Sequence, residues 1–476
     1  MGPDLAALFG EDVEPEEVQV HPALLSAVSA LLGEAWPVAR AELLGEATQE
    51  AKDKEPRLPL PPRLARDMDD ALGALERRAW AECAAQAEKI KSEAWAALMR
   101  DKTWQRPCDK ELFILVQLLL ALCAHASASP ADAMRHVDEA FVFAAAGPFR
   151  SCALLFVRLL DEDAAAARRK EDPVEGSFPA ETPAGSTSGA LERLPAPSPQ
   201  ELGQLLSQRR PFRFGGALEA WPARKWTLQH LDQVAGHRLV PTELGRADSE
   251  SGELREELMP LGRFLRDHLA PSCRGVTGAT TSTAYLAQHE LFEQCPVLRA
   301  DVPVPSCWQQ VLGAPSRCNA WVGTSSTVTP CHWDSYDNFL AQVQGFKRVA
   351  LLAPEQRSKL YVEESVGRTA AQGNLSPVNV EDPDLEKYPN FAGAAAGGRE
   401  WLGFSAFQEV SARTPFPRPL QAMLGGRDRF PLEAIRRPSH CFASSRLDRF
   451  WEKHGLRLQA ATLFDSGSPF IPQMFE

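Results

Sequence analysis

A histidine and an aspartate one residue apart, His332 and Asp334, are the pair in this chain best suited to chemistry. On an extended strand, residues i and i+2 point to the same face, so an imidazole nitrogen and a carboxylate oxygen can reach one metal ion. Two histidines and a carboxylate form the facial triad of non-haem Fe(II), which leaves positions open for an oxo-acid and oxygen. The pair supplies two of these three ligands, although the same pattern also occurs in solvated turns.

Lys347 follows this pair after a short alternating segment. Residues 339–344 alternate between apolar and polar, Gly345 marks a turn, and 347–352 form a second run, which together predict a β-hairpin. Lys347 has two interpretations at the start of the return strand. It protects an edge strand from pairing with other sheets, or its ammonium binds the far carboxylate of 2-oxoglutarate in the low dielectric of a barrel.

The composition limits the classes of protein to which the chain can belong. A length of 476 residues suits two domains, one of them a large β-barrel. The formal net charge of -12 argues against nucleic-acid binding and fits a protein whose substrates are basic segments, such as histone tails or arginine-rich peptides. The 10 cysteines include no C-x-x-C pair, which indicates buried thiols in a reducing compartment, the cytosol or the nucleus.

No membrane segment is predicted. Residues 1–17 are acidic and lack the apolar region of a signal peptide. The longest apolar run, Leu112 to Cys123, is interrupted by Gln117 and is too short to span a bilayer, so we expect a core helix there. The sequence does not indicate an oligomeric state.

The chain divides by composition into four parts. The first is rich in Ala, Glu, Arg and Leu at helical spacing, and its tryptophans, such as Trp80 and Trp95, are assigned to a helical core. A tract of Pro, Gly, Ser and Thr follows that cannot bury enough apolar surface to order itself. The predicted parts are a helical region at 1–160, a disordered linker at 161–200, a barrel domain at 201–394 and a divergent segment at 395–476.

Several motifs resemble those of the JmjC-domain oxygenases. They are the Arg-Pro-Phe and Ala-Trp-Pro patterns at 210–212 and 220–222, the run Tyr-Leu-Ala-Gln-His-Glu-Leu-Phe at 285–292, the His332 and Asp334 pair, and the segment from Val380 to Phe391. The resemblance implies an α+β protein in which an N-terminal helical domain precedes a double-stranded β-helix of the JmjC or cupin type. It also implies Fe(II), 2-oxoglutarate and oxygen as cofactor and cosubstrates.

The resemblance assigns roles to further residues. Tyr285 and Gln288 face the cosubstrate pocket, although Tyr285 has the alternative role of an aromatic residue at the barrel rim. Thr329 and Asn338 hydrogen-bond 2-oxoglutarate, together with Lys347. Thr329 lies three positions before His332, so its inward placement rests on the resemblance and on a break in alternation at Pro330.

Three other residues complete these assignments. Asn319 and Trp321 line the substrate side of the pocket by resemblance. His289 is interpreted as a residue on a helix surface or as a satisfied polar residue, and not as a ligand.

The expected function is oxygenation of protein side chains. The resemblance implies arginine hydroxylation, methyl-lysine demethylation or both, on histones or other basic proteins, in the nucleus, with the cytoplasm as a second location. The alternative is an inactive binding or scaffold protein that lacks the third iron ligand.

The resemblance stops near Ala394. The family has a Pro-Gly turn, an apolar strand and a Trp-His pair with the third ligand, whereas this chain has Gly397-Gly398-Arg399 and several prolines. The third ligand is not located; His440 is the candidate, ahead of His454. We expect the last barrel strands to be altered by an alternative or mispredicted C-terminus, and the edges of the barrel to be exposed.

Overall fold

The computed structural model divides into two compact units between Ala167 and Arg168. It describes residues 20–43, 63–100, 107–144, 147–167, 174–178, 193–208, 211–245, 255–274, 283–315, 317–325, 327–332, 338–362, 375–396, 400–405 and 408–412. Both the helical first unit and the mixed second unit have their own buried core.

Six helices make up the described part of the first unit, and four of them begin with proline. Proline suits the first helical position because the amide hydrogen that it lacks has no partner within a helix there. The helices are α1 (Pro22–Leu43), α2 (Arg63–Glu76), α3 (Trp80–Arg100), α4 (Pro107–Ala126), α5 (Pro130–Phe143) and α6 (Pro148–Ala167).

Helix α4 is the core helix that the apolar run predicted, with Leu112 to Cys123 buried throughout. Trp95 packs near it, with ring centroids 5.3 Å from Phe113 and 5.9 Å from Phe143. Helix α1 is the one described helix that is long and apolar enough to cross a membrane, over Pro22–Ala41, and about half of it (47%) is buried against the rest of the unit.

Gln117, which interrupts the apolar run, is buried, and both its amide oxygen and its amide nitrogen are hydrogen-bonded. Its side-chain oxygen lies 2.7 Å from Nδ1 of His136, and its amide nitrogen donates to Glu139. Burial, with Arg135 and Lys91 nearby, lowers the pKa of His136 to about 4, so the ring is neutral at physiological pH. The interruption therefore marks a polar contact between α4 and α5 and not the end of a helix.

The second unit begins with short strands and helices and continues into the barrel strands. Ser198 caps α7 through a capping box with Glu201. The elements are β1 (Arg193–Leu194), α7 (Pro199–Ser207), β2 (Phe212–Gly215), α8 (Leu228–Ala235), β3 (Leu239–Leu244), β4 (Arg255–Pro260), α9 (Leu261–Phe264), α10 (Ala270–Cys273), β5 (Ala284–His289), α11 (Leu291–Gln294), α12 (Pro296–Ala300), α13 (Ser306–Leu312), β6 (Ala320–Gly323), β7 (Asn338–Gln342), β8 (Phe346–Leu351), α14 (Phe391–Ala396), β9 (Glu400–Ser405) and β10 (Gln408–Ala412). Two 3₁₀ helices, Pro222–Lys225 and Pro354–Leu360, and a π-helical turn at Leu265–Leu269 complete the described elements.

The strands form three sheets, with orders β1-β2-β10-β7, β4-β3-β5-β6 and β8-β9. All pairs are antiparallel except β1 with β2. The predicted fold class, a helical region followed by an α+β barrel domain, is confirmed.

The predicted hairpin at Gly345 is wrong. β7 pairs with β10 and β8 pairs with β9, so the two strands on either side of Gly345 belong to different sheets. Gly345 has a φ of 70°, which allows a sharp change of direction. Alternation identified the strands correctly but contained no information on their partners.

The divergent segment also forms strands. β9 pairs with β8 over six residues, and β10 lies between β2 and β7. A short run of mixed polarity is therefore sufficient to form a strand when neighbouring strands supply the hydrogen bonds. The expected exposure of barrel edges stays a prediction, since β7 is still the outer strand of its sheet. His440 and His454 lie outside the described residues.

Parts of the predicted linker are structured. α6 continues to Ala167, Val174 is 3% exposed in the core of the second unit, and Arg193–Leu194 forms β1. Arg274 also donates to the carbonyl oxygen of Glu175 at 3.0 Å. The linker is therefore narrower than predicted, because isolated apolar residues anchor a tract whose average composition is polar.

The β4-β3-β5-β6 sheet has two chemically different faces. Val240, Met259 and Leu286 lie on one face and pack against helices α8 and α9. Side chains alternate along a strand, so the residues next to these three in sequence point to the other face of the sheet. Tyr285 on β5 is among them, and this second face positions the candidate site.

Candidate functional site

Lys347 and Tyr285 are in direct contact. The Nζ atom of Lys347 donates to the Tyr285 hydroxyl oxygen at 3.2 Å and lies 5.2 Å from the ring centroid of Trp321. Tyr285 is 7% exposed, and no carboxylate forms an ion pair with Lys347 among the described residues. An ammonium held this way by a phenol and an indole is suited to bind an anion.

Gly323 gives the Tyr285 ring the space that it occupies. The two residues are direct partners in the β5–β6 pairing. A Cβ atom at position 323 would lie 2.8 Å from Cδ2 of Tyr285 and 2.8 Å from Oγ1 of Thr327, closer than atoms pack. Gly323 therefore positions the phenol that Lys347 contacts.

Replacing Gly323 with alanine is expected to displace Tyr285 and to reduce 2-oxoglutarate affinity by about tenfold, with an overpacking cost of about 1–3 kcal/mol. Calorimetric titration and thermal unfolding measure the two effects. Gly203→Ala is the control, because a Cβ there meets nothing within 4 Å on helix α7. Unchanged affinity in Gly323→Ala would show that Tyr285 does not depend on this glycine.

A β-bulge places Gln288 opposite Trp321. Leu286 pairs with Val322 and His289 pairs with Ala320, so β5 has one residue more than β6 between these pairs. Gln288 takes up this irregularity with a φ of 50°. Tyr285 and Gln288 are three residues apart, and on a regular strand they would lie on opposite faces. Because the bulge adds one residue between them, both lie on the same face. Gln288 is exposed.

Asn319 directly precedes β6, and Trp321 is the second residue of that strand. The Oδ1 atom of Asn319 is buried without a hydrogen-bond partner among the described residues. Trp321 is 38% exposed, and its ring centroid is 5.8 Å from that of Tyr285. A buried amide oxygen without a donor is costly, and a bound molecule that donates a hydrogen bond would relieve this cost.

The His332 side chain is hydrogen-bonded to the backbone two residues before it. Its Nδ1 atom lies 2.7 Å from the carbonyl oxygen of Pro330, which can only accept, so Nδ1 carries the proton. The Nε2 atom then carries the lone pair that a metal needs, the arrangement usual for metal-binding histidines. A bridge to Leu375 and a 2.7 Å hydrogen bond from the Ser376 amide to the Cys331 carbonyl fix this turn.

Of the predicted metal ligands, only His332 lies within the described residues. Asp334 lies outside the described residues, as does His440, and only the backbone of Asn338 is described, in β7. Thr329 is described and exposed. No group of three His, Cys, Asp or Glu side chains arranged for a metal is present in the described part of the chain. The roles of these residues stay predictions.

His289 is buried and hydrogen-bonded, which agrees with a satisfied polar residue and not with a position on a helix surface. One of its ring nitrogens, Nε2, lies 2.7 Å from Oε1 of Gln294, whose amide donates to the Leu239 carbonyl at 2.8 Å. It lies on the core face of β5, so it has a structural role.

Two glutamates that the sequence analysis missed lie on the face of Tyr285. Glu243 on β3 is the direct partner of Glu256 on β4 and of Tyr285 on β5. Burial first, and then the neighbouring Glu243, raises the pKa of Glu256 to about 8, and burial raises the pKa of Glu243. Alternation could have placed Glu243 on the polar face of β3, but the sequence does not show which residues of β4 and β5 pair with it.

The raised pKa of Glu256 predicts that stability falls as pH rises. Below the unfolded value of 4.5 both states are protonated, whereas at higher pH only the folded state keeps the proton, until about pH 8. Glu256→Gln is expected to unfold like the wild type at pH 4 and to be more stable by up to about 4 kcal/mol at pH 9. Denaturant unfolding across this range measures the difference. Parallel curves for the two proteins would contradict the prediction.

Comparison with known proteins places this architecture in a family. Residues 198–397 match a Cupin-like domain. Lysine-specific demethylase 8 of Xenopus tropicalis is 33% identical over 210 residues, covering 43% of this chain and 45% of that protein. Jumonji C domain-containing protein 5 of Drosophila melanogaster is 31% identical over 291 residues, covering 59% of this chain and 68% of that protein. The chain belongs to the JmjC-domain family.

The match to the Cupin-like domain contains every described residue of the candidate site. It begins at Ser198, the cap of α7, and ends before β9. A more distant relative, HSPB1-associated protein 1 of Rattus norvegicus, is 28% identical over 232 residues, covering 46% of this chain and 48% of that protein. The chain spans about half the length of the Xenopus and Danio rerio demethylases that it matches, 45% and 49%.

Proposed function

We propose that this chain is an Fe(II)- and 2-oxoglutarate-dependent oxygenase acting on side chains of basic proteins. The observation that carries the proposal is the Lys347 ammonium, which hydrogen-bonds Tyr285 and has no carboxylate partner among the described residues. A cation in this position is suited to the far carboxylate of 2-oxoglutarate. Membership of the JmjC-domain family and the demethylase names of several relatives support the same function.

Among the proposed metal ligands, His332 is the one that the structure describes, and its geometry fits a metal. His332 offers Nε2 to Fe(II) because Nδ1 donates to Pro330, and Asp334 and the candidate His440 complete the proposed ligand set. Thr329 and Asn338 are the proposed further contacts to 2-oxoglutarate. When bound, iron and 2-oxoglutarate would activate O2, so that one of its oxygen atoms enters a substrate C–H bond and the other enters the succinate that forms from 2-oxoglutarate with release of carbon dioxide.

The protein groups on the sheet face support a basic substrate side chain. Glu243 is the cross-strand partner of Tyr285, Glu256 is the partner of Glu243 on the next strand, and Trp321 is the exposed aromatic residue beside Tyr285. Carboxylates and an indole are the groups that bind guanidinium and ammonium ions. Arginine hydroxylation and methyl-lysine demethylation both fit these contacts, and Asn319 is the proposed donor or acceptor at the pocket wall.

Mass spectrometry of histone and arginine-rich peptides tests the proposal. With Fe(II), 2-oxoglutarate and oxygen, hydroxylation adds one oxygen atom, whereas demethylation removes a methyl group and releases formaldehyde. Either product, formed with succinate and absent in Lys347→Ala, supports the oxygenase. Binding of peptides without any succinate would support the inactive binding protein instead.

A nuclear location, with a cytoplasmic pool, is part of the proposal. All eight described cysteines are free thiols, which suits a reducing compartment. Imaging of the full chain with a fluorescent tag tests the location.

A further inference from the structure

Glu243 and Glu256 place two carboxyl groups directly opposite each other. The two residues are cross-strand partners in the β3–β4 register, and directly opposed like charges destabilise a sheet. Glu256 is 8% exposed, and its Oε2 atom is buried without a hydrogen-bond partner among the described residues. An unsatisfied buried carboxyl oxygen is expensive, so a ligand or a proton has to account for it.

The charged neighbours of the pair do not neutralise it. On β5, the strand next to β3, Tyr285 accepts a hydrogen bond from Lys347. On the opposite face of β4, Arg255 and Arg263 form ion pairs with Glu257, at 2.5 Å and 2.7 Å. No ion pair links a cation to either glutamate of the pair within the described residues.

We infer that Glu256 holds a proton in the empty site and releases it when a cationic side chain of the protein substrate binds between Glu256 and Glu243. This inference rests on the proposed function and adds a specificity residue to it. The proton passes to solvent, and the bound cation replaces it as the partner of the second carboxylate. The raised pKa of Glu256, caused by burial and by Glu243, supports this order of events.

Because binding exchanges a proton for a cation, the affinity for the cationic side chain increases with pH. Below the pKa of Glu256, binding has to displace one proton, so affinity for a cation rises about tenfold for each pH unit. Above about pH 8 the pair is already ionised and the dependence ends. A neutral side chain displaces no proton, so its binding is independent of pH over the same range.

Calorimetry with N-acetyl-arginine amide, in buffers of different ionisation enthalpy, measures the proton released. N-acetyl-citrulline amide is the neutral control ligand. We expect the arginine probe to release about one proton at pH 6–7 and the citrulline probe none. Glu256→Gln should bind the arginine probe without proton release, and Glu257→Gln, which alters the opposite face of β4, should behave like the wild type.

Infrared difference spectroscopy provides a readout that does not depend on activity. The carbonyl stretch of a protonated carboxyl group should be present in the wild type at pH 7, be lost on adding the arginine probe, and be absent in Glu256→Gln. An unchanged band on saturation, equal proton release in Glu256→Gln, or no binding of the arginine probe would overturn the inference. These results leave metal-dependent 2-oxoglutarate binding untouched, whereas failure of that binding would overturn the proposed function.

Discussion

Lys347→Ala is expected to weaken 2-oxoglutarate binding by about 100-fold or more while leaving metal binding nearly unchanged. The lysine contacts Tyr285 and Trp321 and not the metal turn, so its loss removes the partner of the far carboxylate only. Removing one member of a buried charge pair costs about 3–5 kcal/mol, which corresponds to this loss. Calorimetric titration of 2-oxoglutarate with Mn(II) as a substitute for iron measures it.

The control for this variant is Lys359→Ala. Lys359 donates to the carbonyl oxygen of Gly393 at 3.2 Å and is not part of the candidate site. It should bind 2-oxoglutarate like the wild type. Equal loss of metal and 2-oxoglutarate in Lys347→Ala would indicate a folding defect, and unchanged 2-oxoglutarate affinity would remove Lys347 from the site.

His332→Ala is expected to abolish metal binding and, with it, turnover. The Nδ1 contact with Pro330 prepares Nε2 as a donor, so we expect the side chain to bind the metal directly. Changes to residues that merely support ligands typically cost about 10–100-fold in metal affinity, so loss of a ligand should exceed that. Metal content after dialysis and Mn(II) titration measure the effect.

His230→Ala is the matched control, because His230 also lies beside an aspartate. Its Nε2 is 3.8 Å from Asp301, outside the candidate site. This variant should keep the metal. Full metal binding by His332→Ala would show that the metal lies elsewhere, and loss in both variants would indicate that the protein unfolds.

Local patterns predicted much of the fold. The apolar run of α4, the strand around Tyr285 and the turn at Gly345 follow from composition and alternation, which depend on neighbouring residues. The resemblance assigned Lys347 and Tyr285 to one pocket, and the two side chains are in contact, but their role toward a cosubstrate stays a prediction.

Features that depend on distant partners were not predictable. β8 pairs with β9 and not with β7, because the arrangement of all the strands determines which of them pair. The bulge at Gln288 and the opposition of Glu243 and Glu256 arise from register, which single strands do not encode. For the same reason, the strands in the divergent segment escaped prediction.

The most direct test of the oxygenase assignment is anaerobic absorption spectroscopy of the full chain with Fe(II) and 2-oxoglutarate. Chelation of Fe(II) by 2-oxoglutarate through two oxygen atoms produces a charge-transfer band. The proposed site predicts this band in the wild type and in His230→Ala, its loss in His332→Ala, and its recovery in Lys347→Ala only at much higher 2-oxoglutarate concentration. A folded wild-type protein that gives no band, or a band that persists in His332→Ala, would contradict it.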